Sequence, residues 1–239
     1  MITGAARRLG AATAQLFHQR GYRIIVHCND SLQAAEQLIL GMNRDRRNSA
    51  LIVKANLTRD EEVAALAGQA IQTFGRLDIL VNNASSFYPT PFGRVTSSAW
   101  HDLIDSNLRG AFFLSQSLAE SLRLQRGAIV NLIDIYAEQP LKNHPVYSIA
   151  KAGLAAMTRS LALELAPEVR VNGVAPGAIL WPDQDEDADA AHQAIIDSVP
   201  LGRTGISDDI AEAVYFMATD ASYITGEVIR VDGGRRLNL

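Results

Sequence analysis

Short runs rich in β-branched residues alternate along the chain with longer segments of helical periodicity. We interpret as strands the runs at 22–28, 50–55, 77–82, 128–133, 169–174 and 227–231, and as helices the segments at 11–20, 32–44, 60–74, 98–124, 147–166 and 208–218. Nearly continuous apolar strands are typical of a sheet covered on both faces, and strand–helix alternation indicates parallel strands joined by right-handed crossovers. The sequence therefore predicts an α/β fold with a doubly wound parallel sheet, in a single domain spanning residues 1–239.

In a doubly wound sheet of the Rossmann type, ligands bind outside the carboxyl ends of the strands, where the strand order switches. The loops that we expect to line the site lie at 3–10, 28–31, 56–58, 83–92, 134–147 and 176–200. The acidic stretch 182–191 is interpreted as a solvated loop over that site, and a mobile substrate lid is the alternative interpretation.

Composition excludes several classes of protein. The net charge of −4 provides no basic surface for nucleic acid or for an anionic membrane, and no 18-residue apolar run or export signal is visible. The single cysteine, Cys28, rules out an internal disulfide and fits a reducing cytosol, so we expect a cytoplasmic location. The histidines are scattered, and no metal site is predicted.

The segment "TGAARRLG" (3–10) lies between a short strand remnant and a helix, as though most of a first strand were missing. Gly4 and Gly10 permit a turn that exposes backbone N–H groups at a helix N-terminus, which is a ready site for a pyrophosphate. A generic turn between strand and helix is the alternative. Arg8 stands where a third glycine would let a cofactor approach, and its guanidinium can pair with phosphates or with a substrate oxygen.

Tyr147 and Lys151 stand four residues apart at the start of a predicted helix, so their side chains share one face. Acid–base chemistry near neutrality requires roughly 4 kcal/mol to lower the pKa of a phenol, and an ammonium ~4 Å away supplies that much. Asp134, at the end of the preceding strand, can bond the phenol or the substrate and relay protons, although a turn or cap role is also open. Asn107 is a poor helix former in mid-helix, and its side chain can hold a water that connects Lys151 to solvent.

Two loops after strand ends carry the remaining candidates. In "NNASSFYPTP" (82–91), Asn82 and Asn83 can fix the loop and bond a ribose. Phe87 or Tyr88 can stack on a flat heterocycle or simply pack under the loop. Pro176 and Gly177 form a turn that can close on a nicotinamide. The last strand and its turn, 223–234, are interpreted as structural.

Taken together, these motifs resemble those of the short-chain dehydrogenase/reductase family over nearly the whole chain. The matching residues are "TGAARRLG", "NNAS", Asn107, Tyr147-x-x-x-Lys151, "PG" and "VDGG". Within that family, Arg8 in "AARRLG", the run "NNASSFYPTP" and an aspartate where most members carry serine are similar to pteridine reductases. Those enzymes reduce pterins and folates with NADPH, and the resemblance implies the same reaction here.

The resemblance also implies the residues of the site. Phe87 would stack on the pterin, Ser85 and Arg8 would bond the pterin and the cofactor phosphates, and Tyr147 would donate the proton that accompanies hydride transfer. The implied catalytic residues are Asp134, Tyr147, Lys151 and Asn107, and the implied substrate-binding residues are Arg8, Ser85, Phe87, Asp134 and Tyr147. The implied cofactor-binding residues are Gly4, Arg8, Leu9, Gly10, Asn29, Ser31, Asn56, Leu57, Asn83, Ala84, Ser85, Tyr147, Lys151, Pro176 and Gly177.

This chain departs from the subgroup at two positions. Ile179 replaces a serine that usually follows the "PG" turn, and Asn56 replaces an acidic residue that commonly contacts adenine, although an amide oxygen can still accept that bond. Members of the family are usually tetramers built through the helices predicted at 98–124 and 147–166, so a homotetramer is expected.

NADPH is the expected cofactor, with NADH less favoured. Relatives that prefer NAD generally place an aspartate at the end of the second strand, and that position holds Cys28. Asn29 and Ser31 can donate hydrogen bonds to the 2′-phosphate. Asp30 reverses the charge of an arginine in the matching loop of pteridine reductases, so it either points to solvent or captures the ribose and admits NADH.

Two other functions stay open. The first is another short-chain reductase that acts on a 3-oxoacyl thioester, a sugar or a steroid carbonyl, which stacking of the substrate on Phe87 would distinguish from a pterin enzyme. The second is a non-catalytic protein that senses the cofactor. The complete set of Asn107, Tyr147 and Lys151 argues against this second function.

Overall fold

The computed structural model describes residues 1–179 and 189–238. The α-helices are Arg8–Gln19 (α1), Leu32–Asp45 (α2), Asp60–Phe74 (α3), Ser97–Ile104 (α4), Gly110–Leu124 (α5), Pro145–Leu165 (α6), Asp189–Asp197 (α7) and Ser207–Ala218 (α8). The strands are Ile24–Cys28 (β1), Ala50–Lys54 (β2), Ile79–Asn82 (β3), Ala128–Leu132 (β4), Arg170–Pro176 (β5) and Val228–Val231 (β6). The positions 182–188 of the acidic stretch lie outside the described residues, and so does their predicted role as a loop or lid.

The strands form a parallel sheet that runs from β2 to β6. β1 pairs with β2, and β3, β4, β5 and β6 pair in that order. Residues 1–3 join the two groups, because Ile2 bridges to Val26 of β1 and to Val81 of β3. The strand order therefore switches at residues 1–3, and the predicted doubly wound α/β fold is confirmed.

Alternate residues of each central strand enter different cores on the two faces of the sheet. Ile24 and Val26 of β1 pack with apolar residues of α1, α2 and α8. Ile25, between them, packs on the opposite face with residues of α3 and α5. Because successive strand side chains point to opposite faces, this arrangement explains why the strands are nearly continuously apolar.

Local chemistry sets the ends of several helices. α3 begins with Asp60, Glu61 and Glu62, whose charges suit the positive end of a helix, and it ends at Gly75 in the left-handed conformation. α6 begins at Pro145, which needs no intrahelical N–H bond at that position. Tyr147 and Lys151 consequently occupy the first two turns of α6.

The helix predicted at 98–124 is interrupted, and the prediction of one continuous helix was wrong. A short π-helix, Asp105–Arg109, separates α4 from α5. The Asn107 amide donates to the carbonyl of Leu103 at 2.9 Å, so the side chain competes with the backbone for a helical acceptor. The segment 176–200 also differs from the expected continuous loop, since it contains α7.

Within the described part of the chain, no helix is both long and apolar enough to cross a membrane. The described residues also contain no cluster of three or more His, Cys, Asp or Glu side chains that could hold a metal ion.

Candidate active site

Two adjoining cavities lie along the carboxyl ends of the strands. The larger, of about 600 Å³, follows the turn at 3–10 and the ends of β1, β2 and β3. The smaller, of about 310 Å³, lies beside the ends of β4 and β5. Arg8, Leu9, Asn83 and Ser85 line both cavities, so the two form one continuous site.

The structure distributes the predicted site residues between these cavities. The larger is lined by Gly4, Arg8, Leu9, Gly10, Asn29, Ser31, Asn56, Leu57, Asn83, Ala84 and Ser85. The smaller is lined by Phe87, Asp134, Tyr147, Lys151, Pro176 and Gly177, together with Arg8 and Ser85. Asn107 is not among the lining residues of either cavity and is buried at 1% exposure.

The turn at 3–10 packs tightly against the loop that follows β3. Gly4 has a φ of +60°, and a Cβ there would lie 2.9 Å from the Cα of Ala84. A Cβ on Gly10 would lie 2.4 Å from the carbonyl oxygen of Gly4. Asn83 holds this contact, since its Nδ2 donates to the carbonyl oxygens of Thr3 at 2.8 Å and Gly4 at 3.0 Å. The turn thus presents the N-terminus of α1 to the larger cavity.

Arg8 adopts a backbone conformation that favours glycine, with a φ of +50°. It is the first residue of α1, and its N-cap neighbour Arg7 makes no side-chain capping bond. The N–H groups at this helix end therefore have no side-chain cap, and Arg8 lies on the wall of both cavities. Such an arrangement suits an anionic group.

The far end of the larger cavity holds the residues predicted to contact the adenosine half of a cofactor. Asn29 donates through Nδ2 to Asp30 at 3.0 Å. The Asn56 side-chain oxygen accepts from the Thr58 N–H at 3.0 Å and from the Thr58 hydroxyl at 2.9 Å. Because those two donors fill both lone pairs of that oxygen, an adenine amino group would have to displace one of them.

Tyr147 and Asp134 are directly hydrogen-bonded. The Tyr147 hydroxyl donates to Asp134 Oδ2 at 2.7 Å, and the other carboxylate oxygen accepts from the Tyr136 N–H at 2.9 Å. Burial raises the pKa of Asp134, while its hydrogen bonds and the charges of Lys151 and Arg235 oppose that rise. Asp134 thus caps the 3₁₀-helix Ile135–Ala137 and also bonds the phenol, which combines the two roles left open by the sequence.

Lys151 does not lower the pKa of Tyr147 as the sequence analysis expects. Burial and then the charge of Asp134 raise the pKa of Tyr147 above its ordinary value. The Lys151 ammonium lies 5.6 Å from the centre of the Tyr147 ring and donates to the Leu132 carbonyl at 2.9 Å. Burial lowers the pKa of Lys151 itself to about 8. The phenol is therefore protonated at neutral pH. Lys151, with a pKa of about 8, gains and loses its proton close to neutral pH.

Asn107 contacts the loop that carries the predicted substrate residues. Its side-chain oxygen accepts from the Ser85 hydroxyl at 2.6 Å, and its Nδ2 donates to the Ser86 carbonyl at 2.9 Å. The neighbouring Ser85 hydroxyl also lowers the pKa of Tyr147, although burial and Asp134 outweigh it. The described contacts of Asn107 thus position Ser85 beside the tyrosine, whereas the water link to Lys151 stays a prediction.

Phe87 stands at the mouth of the smaller cavity. Its ring is 42% exposed, stacks on His144 with centroids 4.7 Å apart and meets the Tyr147 ring edge-on at 4.8 Å. An aromatic ring is therefore placed beside the hydroxyl that bonds Asp134. Tyr88 lies elsewhere, because its hydroxyl donates to Asp102 at 2.9 Å.

Sequence reasoning missed several residues of the smaller cavity. Leu141, Tyr136, Ile195, Ser207 and Arg235 also line it. Arg235 follows the turn at 223–234, which was interpreted as structural. It lies far along the chain from most of the other lining residues, so no sequence motif pointed to it.

Residues 4–236 match the family described as "Enoyl-(Acyl carrier protein) reductase". The chain is 36% identical to "Pteridine reductase 1" of Leishmania tarentolae, over 99% of this chain and 96% of that protein. The chain belongs to the short-chain dehydrogenase/reductase family. This short-chain reductase is also 35% identical to a 3-oxoacyl-(acyl-carrier-protein) reductase of Staphylococcus aureus, over 98% of this chain and 96% of that protein. A reductase of the same description from Synechocystis is 34% identical, over 98% and 95% of the two chains.

Proposed function

We propose that this short-chain reductase reduces the ring of a pterin or folate with NADPH, of the dihydropterin to tetrahydropterin type. The observation that carries the proposal is the carboxylate of Asp134 bonded to the Tyr147 hydroxyl at 2.7 Å, on the wall of a cavity that Phe87 also lines. A pterin offers N–H donors as well as acceptors. A carboxylate accepts such N–H bonds more strongly than the serine hydroxyl that most family members carry.

The larger cavity fits a dinucleotide. The close contacts at Gly4 and Gly10 leave no room for a side chain between the turn and the loop after β3, and the uncapped end of α1 faces the cavity. Arg8 and the N–H groups of α1 would hold the pyrophosphate side, and Tyr147 and Lys151 would hold the ribose next to the nicotinamide. When bound there, NADPH supplies a hydride to the substrate.

The chain's own residues supply the proton. The Tyr147 hydroxyl donates a proton to the ring nitrogen on which negative charge develops, and its high pKa keeps it protonated until that charge appears. Asp134, whose pKa burial raises, then takes up a proton from water and passes it to the Tyr147 oxygen through their hydrogen bond. Lys151, with a pKa of about 8, stabilises the transient negative charge from the buried side of the cavity.

Phe87→Ala should weaken pterin binding by ~1–3 kcal/mol, because stacking and apolar burial are lost. The measurement is the KM for dihydrobiopterin at saturating NADPH, with the KM for NADPH as the internal comparison, which should change less. Phe92→Ala is the matched control, since that ring is 95% exposed on the same stretch of chain. An unchanged pterin KM in Phe87→Ala would assign Phe87 to loop packing alone.

A 3-oxoacyl thioester reductase is the second candidate, since the relative of that description is almost as similar as the pteridine reductase. The Tyr147 and Lys151 pair serves a carbonyl equally well, because a carbonyl oxygen also receives a proton. Asp134 argues for the pterin. A buried carboxylate offers a ketone no hydrogen bond when ionised, since a ketone has no N–H or O–H to donate.

The proposed preference for NADPH is modest. Cys28 at the end of β1 leaves no carboxylate to repel a 2′-phosphate, but Asp30 lies two residues further along the same wall and binds Asn29. We expect kcat/KM to be higher for NADPH than for NADH, and Asp30→Asn to widen that ratio because it removes the remaining negative charge. An NADH value equal to or above the NADPH value in the native enzyme would contradict this preference and identify Asp30 as the ribose ligand.

We also propose that the enzyme is a homotetramer assembled through α4, α5 and α6. These helices expose large apolar side chains, which are Trp100, Phe112, Phe113, Ile149 and Leu163. Exposed apolar patches of this kind are typical of protein interfaces. Light scattering on the native enzyme distinguishes a tetramer from a monomer of 25.9 kDa.

A further inference from the structure

The smaller cavity carries a charged residue to which the proposed reaction gives no role. Its charged lining residues within the described chain are Arg8, Asp134, Lys151 and Arg235. The proposed function uses Arg8 at the cofactor phosphates and pterin, and it uses Lys151 at the ribose and Tyr147. Arg235 remains, although its charge is close enough to lower the pKa of Asp134.

Arg235 is held over the cavity by two elements that are distant in sequence. Its Nη1 donates to the Tyr136 hydroxyl at 3.2 Å, and its Nε donates to the Ser198 hydroxyl at 3.2 Å. The guanidinium carbon lies 5.9 Å from the centre of the Tyr136 ring. A guanidinium has five N–H donors in a fixed plane, and these two contacts orient it while using only part of that donor set.

Arg235 lies at the outer, more exposed part of the smaller cavity. Lys151 and Tyr147 are buried at 2% and 5% exposure, whereas Arg235 is half-buried. A substrate whose reacting ring lies against Tyr147 can therefore extend a substituent past Arg235 toward solvent.

We propose that Arg235 is a specificity residue that selects substrates with an anionic group on the substituent remote from the reacting ring. This inference rests on the proposed function, and a folate with its carboxylate tail is the matching substrate. A carboxylate can take up a charge-assisted hydrogen bond from the guanidinium, while a neutral hydroxylated side chain gains much less. Arg235 also lies where it adds positive charge to a cavity that already holds Arg8 and Lys151.

The adjacent arginine provides a matched control. Arg236 has the same charge, but its Nε lies 2.9 Å from the carboxylate of Glu138, and it is not among the described residues that line the cavity. Arg236→Gln therefore removes one positive charge from the same segment without changing the cavity wall.

The test compares dihydrofolate with its dimethyl ester, which has the same ring and no tail charge, in the native enzyme and in Arg235→Gln, Arg235→Lys and Arg236→Gln. The measured quantity is kcat/KM for the acid divided by kcat/KM for the ester. We expect this ratio to exceed one in the native enzyme and to fall about tenfold in Arg235→Gln, with Arg235→Lys intermediate and Arg236→Gln unchanged. Raising the ionic strength from about 0.02 M to about 0.5 M should lower the native ratio but not the Arg235→Gln ratio. Equal losses on acid and ester, or the same effect in Arg236→Gln, would overturn the assignment.

The same variants separate this inference from the proposed function. If neither pterin compound is reduced, the proposed function fails, and a 3-oxo acid and its methyl ester then provide the charged and neutral pair. A native preference for the acid that Arg235→Gln abolishes would support Arg235 as the specificity residue in that case also. Absence of any charge preference in the native enzyme would overturn it. If Arg235→Gln does not fold, the salt dependence of the acid-to-ester kcat/KM ratio in the native enzyme decides. A ratio that falls as the ionic strength rises supports the assignment of Arg235, and a ratio that does not change overturns it.

Discussion

Replacing Tyr147 with phenylalanine should lower kcat by roughly 10²–10⁴-fold, because the variant lacks the hydroxyl that we propose as the proton donor. The ring itself stays, so its edge contact with Phe87 at 4.8 Å and its packing in α6 should persist. NADPH affinity, measured by fluorescence titration, should therefore change little. The measurement is the single-turnover rate of dihydropterin reduction, which separates the chemical step from product release.

Two controls make that result interpretable. Tyr215→Phe removes a phenol hydroxyl on α8, at a residue that is not among those lining either cavity, and should leave turnover unchanged. Circular dichroism should verify that Tyr147→Phe is folded, since the lost bond leaves the buried Asp134 carboxylate without one donor. Near-native turnover in folded Tyr147→Phe would refute the assignment of this residue as proton donor.

The second large effect is expected at Asp134. Asp134→Ser should reduce kcat/KM for dihydrobiopterin by about 10²-fold or more, because in the proposed complex the site loses the charged acceptor for a pterin N–H. Reduction of a 3-oxoacyl thioester should fall far less or even rise, because a serine hydroxyl can bond both Tyr147 and a carbonyl oxygen. Asp134→Asn is the companion variant, since it keeps the shape and the Tyr136 N–H contact but removes the charge.

The ratio of the two activities is the informative quantity. A serine can still accept a hydrogen bond from the Tyr136 N–H, so a role confined to capping predicts small and equal losses on both substrates. Equal losses on the pterin and the thioester would therefore make Asp134 a structural cap, and the pterin assignment would lose its main support.

The sequence predicts the architecture well because the two periodicities in this chain are strong. Each predicted strand agrees with an observed strand to within two residues at either end, and the helix predicted at 60–74 is α3. The break at Asp105–Arg109 escaped prediction because it depends on one amide donating to a carbonyl within the helix. The spacing of apolar residues along the sequence does not reveal a side-chain hydrogen bond of this kind.

The protonation chemistry of the site was harder to predict from the sequence than the identity of the residues that form it. The spacing of Tyr147 and Lys151 indicates that the two share a face, and Asp134 does meet the phenol. The predicted lowering of the Tyr147 pKa was wrong, because desolvation on burial raises that pKa by more than a nearby ammonium could lower it. Burial is a property of the folded chain and is largest where a side chain is surrounded from several elements.

Arg235 and His144 show a second limit. Arg235 reaches the cavity only because the end of the chain folds back to Tyr136, which precedes it by 99 residues. His144 stacks on Phe87, which precedes it by 57 residues. Neither residue belongs to a motif with characteristic spacing, so only the tertiary structure brings them to the site.

The most direct test of the central proposal is NADPH oxidation by the native enzyme with dihydrobiopterin, dihydrofolate, a 3-oxoacyl thioester and a small set of ketones. Because the site pairs a buried carboxylate with an aromatic ring, we predict that kcat/KM for the better dihydropterin exceeds that for any carbonyl compound by at least about 100-fold. A thioester or ketone reduced as fast as the dihydropterins, or faster, would contradict the assignment.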